Sequence, residues 1–352
     1  MYDHAVAARK IRTGVFGASG YAGAELLRLA AGHPNLELEL ATGDSQVGAK
    51  AADLYPSLAA AYPDLVFGPA DPDGADGLDL VFLALPHGAS QDLVPELRKR
   101  VGVIVDLAAD FRLRDPALYP RWYGAEHRHP ELLAEAAFGI PELFRDSLEG
   151  ATLIAAAGCH VTAAALALAP LVHAGLIDPA GIVVDTITGV SGAGRGLKAT
   201  SQFCTVDEDL TAYGLLAHRH TPEIEQAIGG QVLFTPHLAP LNRGILATCY
   251  ARPTAAALAP AGEGLDPRAV LGAAYGGEPF LVVSDRSPST KATLGSNTAH
   301  LTARYDQRTG WVMAICALDN LVKGASGQAV QCANLALGLP ETAGLPIVGV
   351  YP

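Results

Sequence analysis

Basic residues are scarce in this chain: 24 Lys and Arg face 36 Asp and Glu, a net charge of −12 over 352 residues. So acidic a balance argues against a nucleic-acid or anionic-membrane partner. Any anionic substrate must be met by a local group of cations. Charge of either sign is sparse as well, at 17% against 50% hydrophobic residues, which excludes a disordered polymer. Long apolar runs are missing. The most apolar stretch, Val161 to Ile177, is interrupted by Pro170 and His173 and is too short to span a bilayer, so it reads as a buried helix. Met1 to Lys10 carries Asp3, His4, Arg9 and Lys10 with no apolar segment, so no secretory leader is expected. Cysteine occurs five times, at 159, 204, 249, 316 and 332, with no C-x-x-C pair and no metal-ligand spacing. Reduced thiols, a cytoplasmic setting and no bound metal are the expectations.

The length suits two domains better than one core. In the first half, strand-like and helix-like segments alternate. Thr13 to Phe16 reads as a strand, Ala22 to Ala31 as a helix, and Leu36 to Ala41 as a strand with period-two alternation. Leu78 to Leu85 and Val101 to Asp106 are short apolar runs of the kind buried in parallel sheets. A doubly wound α/β domain follows. Beyond residue 159 the texture changes. Ile182–Thr188, Val232–Phe234, Ile245–Ala251, Leu281–Ser284, Leu301–Tyr305 and Val312–Leu318 are strand-like, several of them separated by long Gly/Ser/Pro loops. They predict an α+β domain with a mostly antiparallel sheet. Val322 to Leu337 reads as a closing helix stopped by Gly338-Leu339-Pro340, and Pro253 to Pro267 as a surface excursion.

Chemistry concentrates at a few places. In Ile154-Ala-Ala-Ala-Gly-Cys159-His-Val-Thr162 a cysteine stands between an apolar run and a helix-like stretch. A thiolate at a helix's first turn is stabilised by the positive end of the dipole, beside amides able to hold an oxyanion. Gly17-Ala-Ser-Gly-Tyr-Ala-Gly23 follows the first strand and opens the first helix. Its G-x-x-G-x-x-G spacing varies the dinucleotide fingerprint but keeps its position, which points to Gly17, Ser19, Gly20, Tyr21 and Gly23 against a pyrophosphate. After the second strand, Asp44 would suit a ribose 2′-hydroxyl, whereas Thr42, Ser45, Gln46 and Lys50 would suit a 2′-phosphate. Pro86-His87-Gly88 ends the third strand, where ligands of such sheets bind, and Arg112 could grip a carboxylate or phosphate. Thr188 to Gly196 is a second glycine-rich loop, in which Ser191, Gly192 and Arg195 form an anion nest. His218-Arg-His220 places two imidazoles before a helix. With no third ligand nearby in sequence, acid–base work is expected of them and not metal ligation.

Together these stretches resemble the N-acetyl-γ-glutamyl-phosphate reductases, NADP-dependent enzymes of arginine biosynthesis related in design to aspartate-semialdehyde dehydrogenase. Phe82–Gly88, Ala109–Leu113, Gly189–Arg195, His218–Ile224, Arg243–Thr248 and Asp319–Gln328 carry the likeness nearly end to end. The resemblance implies Cys159 as nucleophile, His218 as acid–base with His220 as a second candidate, and Asn320, Lys323 and Gly324 returning to the cofactor. It also implies NADP, a homotetramer and a small acyl-phosphate substrate. The implied fold is a Rossmann-like domain of residues 1–158 with 323–352, beside a catalytic and oligomerisation domain of residues 159–322. The chain departs from the family at Ala156-Ala157 and His160-Val161, where prolines flank the usual Gly-Cys. A related aminoadipyl reductase of the carrier-protein lysine pathway is the alternative substrate reading. A catalytically silent, redox-sensing nucleotide binder is the alternative of another class.

Overall fold

The structure is a computed structural model and describes residues 10–258 and 265–351. The leader expectation falls on the undescribed residues 1–9. Residues 259–264 of the expected Pro253–Pro267 excursion also lie outside the described residues. Contacts divide the chain into two units. The first runs to Arg112 and adds Arg128–Ala156 and Ser326–Leu345; the second holds Leu113–His127, Ala157–Ala325 and the chain from Pro346.

The first unit is built on six parallel strands: β1 (Ile11–Phe16), β2 (Leu36–Ala41), β3 (Leu80–Leu83), β4 (Val103–Asp106), β5 (Ala137–Gly139) and β6 (Leu153–Ala156), ordered β2-β1-β3-β4-β6-β5. β3, β4 and β6 are buried along their whole length, as continuous apolar runs in a two-sided sheet should be. β2 lies at the edge, and its Leu-Glu-Leu-Glu-Leu alternation turns Glu37 outward. From β1 the chain builds first toward β2 and then back past β1 to β3. The ends of β1 and β3 therefore flank the point where strand order reverses, the place where such sheets take ligands. The Gly327–Ala336 helix returns to pack on β4 and on the Tyr21–Ala31 helix. The short β5, held beside β6, has no alternation long enough to read from sequence.

The second unit carries a seven-stranded sheet of β7 (Ile182–Gly189), β8 (Thr211–Ala212), β9 (Val232–Ala239), β10 (Ile245–Ala251), β11 (Leu281–Val283), β12 (Ala299–Asp306) and β13 (Trp311–Leu318), ordered β11-β12-β13-β10-β7-β9-β8. Its β12-β13-β10-β7 and β9-β8 pairings are antiparallel, and β11-β12 and β7-β9 are parallel. β9 runs five residues beyond the expected Phe234, through Pro236. Proline fits there because only the two-residue β8 lies beyond β9. The Cys159–His173 helix packs on β10 and β13 and is buried from His160 through Leu171, which is why its sequence is apolar on every face. No helix among the described residues is long and apolar enough to cross a membrane.

Candidate active site

Cys159 is the first residue of its 15-residue helix and half-buried. Gly158 precedes it in extended geometry (φ −65°, ψ 149°) and offers no side chain to cap the helix. Thr162 donates the first intrahelical bond to the Gly158 carbonyl at 2.9 Å, so the amides of His160 and Val161 precede that ladder and face the helix's positive end. Two glycines make room here. A Cβ on Gly158 would come within 2.5 Å of His220 Nε2, and one on Gly324 within 2.9 Å of the Cys159 Cβ. Gly324 sits in a π-helical turn, Val322–Ser326, ahead of the last helix.

Around this point three imidazoles converge. His160, one residue after the cysteine, lies with its ring centroid 5.6 Å from His218 and 5.5 Å from His220, and those two are 4.7 Å apart. Thr186 of β7 contacts His160 Nδ1 at 2.8 Å, and the Tyr213 hydroxyl contacts its Nε2 at 2.9 Å. Burial, and next the proximity of His218, lower the His160 pKa to about 3. Burial, and next Arg219, lower His218 to about 4. Both rings are thus neutral near pH 7. His218 Nδ1 accepts the His220 amide at 3.1 Å, so the proton of the neutral ring sits on Nε2. Burial, and next the neighbouring Cys159, push the Tyr213 phenol above its ordinary range, so it stays protonated. Glu223, fully buried on the same helix as His220, accepts the Gly158 amide at 3.2 Å and the Tyr123 hydroxyl at 3.4 Å.

Sequence spacing does not reveal Thr186, Tyr213 or Glu223. Glu223 has one visible signal, standing three residues after His220 and hence on the same helix face. Thr186 comes from β7, and Tyr213 from the chain just after β8. The same convergence gives the His218–His220 pair, which has no third ligand nearby in sequence, a third imidazole from His160.

The second glycine-rich loop leaves β7 as a short 3₁₀ turn, Val190–Ala193. Asn320 ties it down, donating through Nδ2 to Ser191 Oγ at 3.0 Å and accepting the Gly244 amide at 2.7 Å. Arg195, half-buried, has no acidic partner among the described residues. Lys323 is fully buried in the second unit, its ammonium 5.8 Å from the Phe280 ring.

In the first unit the Gly17–Gly23 loop joins β1 to the Tyr21–Ala31 helix. Gly17 has φ +77°, and a Cβ there would strike the Ala84 carbonyl oxygen at 2.4 Å; a Cβ on Gly23 would strike the Gly17 oxygen at 2.4 Å. The helix N-terminus at Gly20 has no side-chain cap. Closely spaced backbone and open amides fit a pyrophosphate. Thr42, fully buried, serves the loop itself: its Oγ1 accepts the Gly17 amide at 3.1 Å. Ser19 is buried, while Tyr21 and Ser45 are exposed. At the end of β3, Pro86 is exposed and His87 Nδ1 lies 2.6 Å from Asp110 Oδ1. Arg112 is largely buried and donates to the Leu107 carbonyl at 2.6 Å.

Comparison with known proteins finds two family models along the chain. The semialdehyde dehydrogenase NAD-binding domain matches residues 12–151, and the semialdehyde dehydrogenase dimerisation domain matches residues 159–320. The N-acetyl-gamma-glutamyl-phosphate reductase of Desulforudis audaxviator is 47% identical over 351 residues, covering 97% of this chain and 100% of that protein. The protein of the same name from Jannaschia sp. is 46% identical, covering 96% and 98%. Among solved structures, aspartate semialdehyde dehydrogenase II from Vibrio cholerae shares the fold with a TM-score of 0.68 at 15% identity, over 94% of this chain and 99% of that one. Aspartate semialdehyde dehydrogenase with NADP from Candida albicans gives 0.65 at 17%, over 92% and 98%. Residues 12–151 are therefore a nucleotide-binding domain.

Proposed function

The chain belongs to the N-acetyl-gamma-glutamyl-phosphate reductase family, and we propose that it reduces N-acetyl-L-glutamyl 5-phosphate to N-acetyl-L-glutamate 5-semialdehyde and phosphate, a step of arginine biosynthesis. The observation that carries this reading is a cysteine at the head of an uncapped helix, in a chain this similar over nearly its full length, with imidazoles gathered at its neighbouring residues.

The Cys159 thiolate, favoured by the helix N-terminus, attacks the acyl carbonyl. A C–S bond forms, the C–O bond to phosphate breaks, and inorganic phosphate leaves a thioester. The first-turn amides of His160 and Val161 stabilise the oxyanion of each tetrahedral adduct. His218, neutral with its proton on Nε2, donates a hydrogen bond to that oxyanion. An anionic adduct beside it favours the imidazolium, so His218 is charged, and able to act as the acid, only when the adduct is present. His220 is the second acid–base candidate. Collapse of the thiohemiacetal anion breaks the C–S bond, regenerates the Cys159 thiolate and frees the aldehyde. Ser191, Gly192 and Arg195 receive phosphate or carboxylate; Arg112 is a weaker candidate because its guanidinium is already engaged. Gly17, Ser19, Gly20, Tyr21 and Gly23 hold the cofactor's pyrophosphate, with Thr42 bracing the loop. Ser45 would receive a 2′-phosphate, and Pro86, His87, Asn320, Lys323 and Gly324 would be the further cofactor residues. NADPH, when bound, supplies hydride to the thioester. Several copies of the chain assemble as a homotetramer.

The test is phosphate-dependent reduction of NADP⁺ by N-acetyl-glutamate semialdehyde, with the one-carbon-longer aminoadipate-type aldehyde as comparison. The glutamyl aldehyde is expected to turn over. Turnover confined to the longer aldehyde would move the chain to the lysine-type reaction. Cys159→Ser should remove turnover while NADP⁺ still quenches or shifts protein fluorescence as in the parent; persistent turnover would overturn the covalent scheme.

A further inference from the structure

We propose that His160, His218 and His220 form a binding site for a divalent ion of the zinc class. One ring nitrogen from each of the three lies within 4.8 Å of the other two. Zinc–imidazole bonds of about 2.05 Å in tetrahedral geometry put ligand nitrogens about 3.3 Å apart, within reach of small ring rotations from that spacing. Three separate backbone positions supply the ligands: the second residue of one helix, a loop, and the first residue of another helix. Imidazole-only donor sets select zinc, copper and nickel over magnesium and calcium.

The surroundings suit coordination. Thr186 Oγ1 can accept a proton carried on His160 Nδ1, which fixes that ring and directs its Nε2 lone pair inward, the usual role of a partner behind a ligating histidine. The Tyr213 hydroxyl now contacts that Nε2 and must turn aside, and its own oxygen can then approach the ion. His218 must move its proton from Nε2 to Nδ1, giving up the 3.1 Å contact from the His220 amide. Two hydrogen bonds are lost against three metal–nitrogen bonds gained. Three neutral ligands leave a fourth position open, as in zinc sites that bind a water or an anion.

The site's consequence rests on the reading of the previous subsection. His220 packs on Gly158, next to Cys159, so an ion held here occupies the acid–base imidazoles and blocks the centre. Binding, by contrast, is independent of that reading.

The experiment is a Co²⁺ titration of the full chain in phosphate-free buffer, followed by visible d–d absorption and by Zn²⁺ displacement. A single equivalent with an intense tetrahedral-type band is expected. His160→Gln and His220→Gln, each checked for folding by circular dichroism, should each weaken the ion by about ten-fold or more. Cys159→Ser should hold affinity within about three-fold, because no thiolate is required. A parent chain with no saturable single-equivalent band would overturn the site. So would folded His160→Gln and His220→Gln variants that bind like the parent, or a band lost in Cys159→Ser alone, which would mark a thiolate site. A chain that binds Co²⁺ as expected but shows no reductase activity would sink the functional reading and leave the metal site standing.

Discussion

Each unit buries a group of ionisable side chains, and the two groups settle their charge in opposite ways. In the first unit two carboxylates lie close together at the end of β4. Burial pushes Asp110 up, but His87, the Gly88 amide at 2.8 Å and the Ser90 amide at 3.0 Å together outweigh it and hold the group below its ordinary value. Asp106 has one oxygen contacted by Ser90 Oγ and the Ala108 amide, while its Oδ2 has no partner. Burial, and next the charge of Asp110, raise Asp106 to about 8, so it stays protonated. One charge is kept because donors surround it, and the other is extinguished because they do not. In the second unit there is no charge to share out between His160 and His218: both rings are neutral, and the cluster keeps lone pairs and N–H groups available. Ionisable groups crowded into low dielectric therefore do not by themselves mark chemistry. A group that consumes its donors internally, as Asp110 does, braces a loop; a group that leaves the His218 Nε2–H available near a cysteine at a helix start can act.

The sharpest way to break this contrast is His218→Gln, which should lower kcat by about 10²–10⁴-fold with nucleotide affinity nearly unchanged. Unaltered kcat would make the imidazole cluster as structural as the carboxylate pair. Next in size is Asp110→Ala, which orphans the Gly88 and Ser90 amides and should cost about 1–3 kcal/mol in urea unfolding. A negligible loss would show that water serves those amides equally well.

At acid pH the smallest effect is expected from Asp106→Asn. The folded-state value of about 8 lies above the ordinary 3.8, so the wild-type carboxyl's contribution is fully present below 3.8 and is lost as pH rises through about 8. Asparagine imitates the protonated form. The variant should match the parent at about pH 4 and become progressively more stable than it as pH rises toward about 8. Parallel stability curves across that range would contradict the protonated assignment.

Much of this was legible in the chain because it is written locally. Leu36–Ala41 and Ile245–Ala251 were readable to the residue, since alternation over six or seven positions reports one buried face. The glycine loop was readable because close backbone approach, as at Gly17 and Gly23, admits no other residue. Cys159 at a helix start followed from the apolar run, the Gly158 turn and the alanine-rich stretch after it. β5 and β8 were not legible, being too short to carry a period.

Sequence alone thus determined the two-sheet architecture, the nucleotide loop and the reactive cysteine, because each depends on neighbours in the chain. Tertiary structure decided the surroundings. It brought His160 against His218 and His220, drew Thr186 and Tyr213 onto His160, set Glu223 on the Gly158 amide, and gave Arg112 and Thr42 internal partners. The neutral state of the rings follows from burial, and the contacts that hold His160 and Gly158 join residues 26 to 65 positions apart, distances that no local pattern encodes.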